Sequence, residues 1–277
     1  MKRGCDLLIL LYPIENKIEI KRSQPRFTRQ LLHSSYTAPI QRLHSSNRVR
    51  PSKVTRYAAV TTTERDATMS TPSMTLYHNP LSPFVRKVMV LLHETGQQDR
   101  VALQSSVLTP VSPDLTLIED NPLGKIPALR LADGSVIHDS RVILDYLDHQ
   151  HVGNPLIPRD GSARWRRLTL ASMADGIMDA AVLTRYELAL RAPEKHWDEW
   201  LDGQRDKIRR ALAVLEADAI AELTSHFDVA AISVACALGY LDLRHPDLDW
   251  REANPKLADW YFEVSQRASM LATMPKV

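Results

Sequence analysis

The stretch Asn121-Pro-Leu-Gly-Lys125-Ile126-Pro127-Ala-Leu129-Arg-Leu131-Ala-Asp133-Gly134-Ser135-Val-Ile-His138-Asp139-Ser140 decides how this chain is read. Leu129–Leu131 and Ser135–His138 are short strand-like runs flanking Ala132-Asp133-Gly134. Asp-Gly between such runs signals a hairpin, because the tight turn needs φ > 0 where Asp and Gly tolerate it. Pro127 stands ahead of the first run, where a missing N–H does least harm to a strand. Asp139 is a residue type that caps helices. Val142, Ile143, Tyr146 and Leu147 then recur at helical spacing, so a helix is predicted from Ser140 to about His149.

Upstream, Met74–His78 reads as a strand and Asn79-Pro80-Leu81 as a loop. Ser82 is an N-cap with Pro83 at the first helical position. The apolar face Val85, Val88, Met89, Leu91, Leu92 follows, and Gly96 ends the helix. Val101–Val107 is a second strand and Pro110–Asp120 a weakly helical connection. The first two strands are joined by a helix and should be parallel; the last two form a hairpin and should be antiparallel. Residues 74–152 therefore read as an α/β unit with a small mixed sheet. A linker, Val152–Asp160, carries Gly153, Pro155 and Pro158. Residues 160–277 read as all-α, with helices over Arg164–Ala192, Glu194–Leu223, Asp228–Arg244 and Asn254–Ala268. Val229–Leu243 is apolar nearly all round and belongs at the centre of the bundle.

A length of 277 residues agrees with two domains. The 44% hydrophobic and 25% charged content excludes a wholly disordered chain. No run of 18 apolar residues is present, so no membrane-spanning helix is expected. Two cysteines, Cys5 and Cys236, cannot build a disulfide framework, which points to a reducing, cytoplasmic setting. Thirteen Lys and Arg stand against five Asp and Glu in residues 1–73, and 22 against 28 in residues 74–277. The basic balance therefore belongs to the leader, and no nucleic-acid partner is expected. The leader, 1–73, is expected to be disordered or to lie upstream of a start at Met69 or Met74; targeting and phosphate-binding roles stay open. No GxGxxG or Walker sequence occurs, so no nucleotide cofactor is expected. His149 and His151 lack further ligands at metal spacing and read as isolated surface residues, so no metal is expected. Trp197, Trp200, Trp250 and Trp260 read as packing residues, and Cys236 as inert core.

Ser82-Pro-Phe-Val-Arg-Lys87, Asn121-Pro-Leu-Gly-Lys-Ile-Pro127, Asp139-Ser140 and the helical region after them together resemble the glutathione S-transferase family. Ala174–Ala180 and Ala235–Arg244 resemble its bacterial YibF-type branch. The resemblance spans about residues 74–275. It implies a thioredoxin-like N-terminal domain, an all-helical C-terminal domain, a homodimer, and glutathione as co-substrate with a small electrophile as the second partner.

The family's roles map onto named positions. Ser140, at a helix N-terminus, would take the γ-glutamyl carboxylate, and Asp139 would face the amino group. Capping by Asp139 alone is the competing reading. The resemblance implies a cis Ile126–Pro127 bond that leaves the Ile126 N–H and C=O to pair with the cysteinyl backbone. Lys125 either reaches the glycyl carboxylate or is simply solvated. Ser82 either donates to the sulfur and favours the thiolate, or only caps its helix; Tyr77 and Asn79 are weaker alternatives. Serine rather than cysteine at position 82 disfavours mixed-disulfide chemistry. Met173, Ile177, Met178 and Tyr186 are candidates to line the electrophile site. The expected activity is conjugation of glutathione to small apolar electrophiles in detoxification. A non-catalytic binding or regulatory protein, and a glutathione-dependent isomerase or lyase, are the alternatives. Ala231 stands where many family members carry an acid three residues after the central helix's cap, which removes half of a capping box.

Overall fold

The computed structural model describes residues 72–276. Nearly all of the basic leader therefore lies outside the described residues. Strand β1 (Met74–His78) is followed by α1 (Pro83–Glu94), β2 (Val101–Ser105), α2 (Leu115–Asp120), β3 (Leu129–Arg130), β4 (Val136–Ile137) and α3 (Ser140–Asp148). The sheet order is β2-β1-β3-β4. β1 pairs in parallel with β2, from Met74 opposite Val101 to His78 opposite Ser105. It pairs antiparallel with β3, and β3 with β4 around the Asp133-Gly134 turn. Gly134 takes φ +85°, as that turn requires. Both hairpin strands are shorter than expected.

The remaining elements are helical: α4 (Gly161–Leu190), α5 (Asp198–Asp218), α6 (Ile220–Ser225), α7 (Val229–Arg244), α8 (Trp250–Ala253), α9 (Pro255–Ser265) and α10 (Ala268–Ala272). The helix expected over Glu194–Leu223 is two, broken at Ala219. Leu212, Leu215, Ala219 and Leu223 are all buried and keep helical spacing across the break. Periodicity follows the buried face and so cannot see a turn of the axis. The helix expected to Ala268 likewise ends at Ser265, and α10 follows separately.

One apolar cluster runs through the sheet-bearing and helical parts. It joins Leu76, Val88, Leu91 and Leu144 to Ile177, Leu212, Ile232 and Trp260. Helix α7 lies at its centre: every residue from Val229 to Leu241 is buried. Asp228 caps it, accepting from the Ala230 N–H at 2.9 Å and the Ala231 N–H at 3.4 Å. Arg167 of α4 forks onto the same carboxylate. Gly239 on α7 has no side chain where Arg86 of α1 and Tyr261 of α9 meet. A Cβ there would lie 2.5 Å from Arg86 Nη1 and 2.8 Å from Tyr261 Oη.

Three expectations are corrected. Val142 is half exposed, because α3 buries Ile143, Leu144 and Leu147 instead. Trp197 is 63% exposed, so it is not a packing residue, whereas Trp250 and Trp260 are buried. His151 is not an isolated surface histidine: its Nε2 lies 3.1 Å from Oδ1 of Asp148, whose carboxylate is fully buried. Asp148 also accepts the Leu156 and Ile157 N–H groups and pairs with Arg159 at 3.1 Å, so it pins the linker through four partners. His149 is exposed as expected. No group of three or more His, Cys, Asp and Glu suited to a metal occurs among the described residues. No described helix is long and apolar enough to cross a membrane.

Candidate functional site

Ser82 caps α1 because Asn79-Pro80 turns the chain just ahead of it. The Asn79 Oδ1 accepts the Leu81 N–H at 3.0 Å, and the Asn79 carbonyl accepts the Ser82 N–H at 3.0 Å. The Ser82 Oγ then accepts the Val85 N–H at 3.3 Å. Its own O–H proton has no acceptor among the described residues. Capping and donation to a ligand therefore use different parts of one hydroxyl and do not compete.

Lys125-Ile126-Pro127 leads into β3. The Ile126–Pro127 peptide bond is cis, as is the His138–Asp139 bond. Neither the N–H nor the C=O of Ile126 has a hydrogen-bond partner among the described residues. The loop ahead of it is fixed from below, because the buried Asn121 donates to the Lys125 carbonyl at 2.7 Å. Lys125 itself is exposed.

Asp139 caps α3: its Oδ1 accepts the Arg141 N–H at 2.9 Å while the side chain remains exposed. Ser140 is 3% exposed and is not a surface residue. The ammonium of Lys87, from the second turn of α1, reaches to within 3.4 Å of Ser140 Oγ. Helix α1 thus packs beside the start of α3, where Ser140 stands. One helix start carries Ser82, a second carries Asp139 and Ser140, and Ile126 keeps its backbone groups unpaired; each is a part that suits an extended, peptide-like molecule carrying negative charge.

Other candidates separate. Tyr77 is fully buried; its hydroxyl donates to Asp120 Oδ2 at 2.7 Å and accepts from Arg130 at 3.1 Å. Burial first, and then Asp120, push the phenol above its ordinary value. Tyr77 is thus committed to tying β1, α2 and β3 together. Ile177 and Met178 are core, at 1% and 0% exposure, so they do not line an open site. Met173 and Tyr186 are only partly buried. A cavity of about 290 Å³ adjoins the Asn79-Pro80 loop, walled by Val85, Met89, Leu103 and Met274. Cys236 is fully buried on α7, and burial pushes its thiol up to about 11.

Residues 81–150 match the model of the glutathione S-transferase N-terminal domain, and residues 198–261 that of the C-terminal domain. YibF of Escherichia coli K12, described as an uncharacterized GST-like protein, is 34% identical over 73% of this chain and 98% of its own. The chain belongs to the glutathione S-transferase family. A glutathione transferase family member from Pseudomonas fluorescens Pf-5, crystallised with glutathione, is 80% identical. It superposes with a TM-score of 0.74 over 74% of this chain and 100% of that one. A second crystal structure from that organism holds S-(propanoic acid)-glutathione, at 78% identity and a TM-score of 0.70 over the same shares. The observed architecture is accordingly the transferase fold, a thioredoxin-like mixed sheet followed by a helical bundle.

Viewed within the transferase fold, the site has a charged layer that the sequence motifs do not single out. Lys87 and Asp175 of α4 are each 1% exposed and form an ion pair. Arg141 Nε donates to the other oxygen of Asp175 at 2.8 Å. Asp179, one turn further along α4, is exposed; desolvation first, and then the charge of Asp175, raise its carboxyl above the ordinary value. The signal was present in the sequence. Asp175 falls in the apolar stripe Ala171, Ala174, Met178, and Lys87 falls on the buried side of α1. A charge inside an apolar stripe requires a partner, but one sequence does not say which.

Proposed function

We propose that the chain conjugates glutathione to small electrophiles. Ser82 donates to the sulfur and favours the thiolate. Ile126 pairs with the cysteinyl backbone. Ser140 and the α3 N-terminus take the γ-glutamyl carboxylate, with Asp139 facing the amino group. Lys125, exposed beside Pro127, is assigned to the glycyl carboxylate. The observation that carries this reading is the uncommitted Ser82 proton at the N-terminus of α1. A neighbour at 80% identity that holds glutathione supports it.

The acceptor we favour is a small molecule with a short acid tail. The support is the S-(propanoic acid)-glutathione held by the neighbour at 78% identity. Such a thioether arises when the thiolate adds to the terminal carbon of an unsaturated three-carbon acid and the adjacent carbon takes a proton. It arises equally when the thiolate displaces halide from the corresponding halo acid.

The chain is further proposed to act as a cytoplasmic homodimer. Supporting contact surface is offered by Leu123, Val142 and Trp165, which are 66%, 50% and 68% exposed. A single sedimenting species with the monomer's mass would reject that assembly.

The central experiment is glutathione turnover with an aryl halide and with acrylate, wild type against Ser82→Ala. A hydrogen bond to a charged group contributes about 1.5–3 kcal/mol. Loss of about 10- to 100-fold in kcat/KM is therefore expected, together with a rise in the apparent pKa of bound glutathione. Equal rates would remove Ser82 from the mechanism. Absence of turnover with either acceptor, alongside measurable glutathione binding, would favour a non-catalytic binding protein.

A further inference from the structure

Lys87 is the only buried lysine among the described residues. Its ammonium pairs with Asp175 and lies 3.4 Å from Ser140 Oγ. An ammonium has three donors and no acceptor, so at this contact Ser140 accepts. No acceptor for the Ser140 proton occurs among the described residues, so that proton is free to point away from Lys87. We propose that Lys87 is a positioning residue for the co-substrate: it holds Ser140 as an outward donor and polarises that hydroxyl toward the bound γ-glutamyl carboxylate. The inference rests on the reading that Ser140 receives that carboxylate.

Asp175 has a defined part in this arrangement. An isolated ammonium so far from water would be costly to bury. Asp175 pairs with the Lys87 ammonium, and it takes Arg141 on its second oxygen, which fixes the first turn of α3 as well. The helical half of the molecule thereby sets the orientation of a hydroxyl in the sheet-bearing half. Charge-assisted hydrogen bonds are about twice as strong as neutral ones, so the effect falls on affinity for the carboxylate and not on the thiol.

The test compares glutathione with γ-aminobutyryl-cysteinyl-glycine, the same tripeptide without the α-carboxylate of its first residue. Calorimetric Kd values are measured for wild type, Lys87→Met and Ser140→Ala in the full chain. Because Lys87→Met leaves Asp175 short of one partner, the neutral pair Lys87→Met with Asp175→Asn is measured alongside. Both Lys87 variants should bind glutathione about tenfold more weakly and bind the decarboxylated tripeptide as wild type does. KM for glutathione should rise while kcat at saturation holds. Equal weakening toward both ligands would reduce Lys87 to a structural residue and overturn the proposal. So would unchanged glutathione affinity in the Lys87 variants where Ser140→Ala weakens it. If Ser140→Ala leaves glutathione binding unchanged, the carboxylate site itself is misplaced and the proposal falls with it.

Discussion

Cys236 and Tyr77 are chemically capable groups that the fold withdraws from use. With its thiol raised to about 11 and fully buried, Cys236 carries almost no thiolate near pH 8. A Cys5→Ser chain should therefore show no thiol reactive toward Ellman's reagent in the native state and one in guanidinium. Prompt native labelling would contradict the buried assignment. Tyr77→Phe should leave glutathione turnover unchanged while lowering stability by about 1–2 kcal/mol, read from the urea midpoint. Asp120 and Arg130 keep each other paired in its absence. The residues whose roles depend on local backbone chemistry, Ser82 and Asp139, are legible in the sequence, because capping is a local rule. Lys87 and Asp175 are separated by 88 positions, and only the packing of α1 on α4 reveals that they meet.

At the scale of elements, two ion pairs seat helices. Arg167 and Asp228, 8% and 9% exposed, join α4 to the cap of α7. Asp228→Ala would leave the buried guanidinium with only the 3.9 Å contact to Glu222 as a charged partner, and an uncapped central helix. It should cost about 3–5 kcal/mol by denaturant titration, with Asp228→Asn losing less because it keeps an acceptor for the cap. Glu94 of α1 holds α10 through Arg267 and Ser269. Burial pushes the Glu94 carboxyl up, but Arg267 and Ser269 outweigh it and hold it below its ordinary value of 4.5. A depressed folded value means that the contribution is complete above pH 4.5 and is lost as pH falls through the folded value. Glu94→Gln should therefore destabilise by about 1 kcal/mol or less at pH 7, and the gap from wild type should close in acid. A gap that widens in acid would reverse the assignment. Helix existence was legible from apolar spacing, whereas the breaks at Ala219 and after Ser265 were not, because spacing reports a face and not an axis.

At the scale of the molecule, the sheet and the bundle share one core, and all five tryptophans lie in the bundle. Leu76→Ala on β1, a fully buried position, should cost about 2–5 kcal/mol. The stability read from tryptophan fluorescence should fall by that amount with an unchanged m-value, although every tryptophan lies in the helical half. Separate transitions for circular dichroism and fluorescence would show that the halves unfold independently.

The notch at Gly239 extends that unity to inheritance. A guanidinium from the amino-terminal half fills a space that exists only because the carboxyl-terminal half offers a bare Cα. Recombination that joined this amino-terminal half to a donor bundle carrying an alanine methyl at position 239 would oblige the Arg86 guanidinium and the Tyr261 hydroxyl to shift. Bulk at position 239 is therefore expected to vary together with the side chains at 86 and 261.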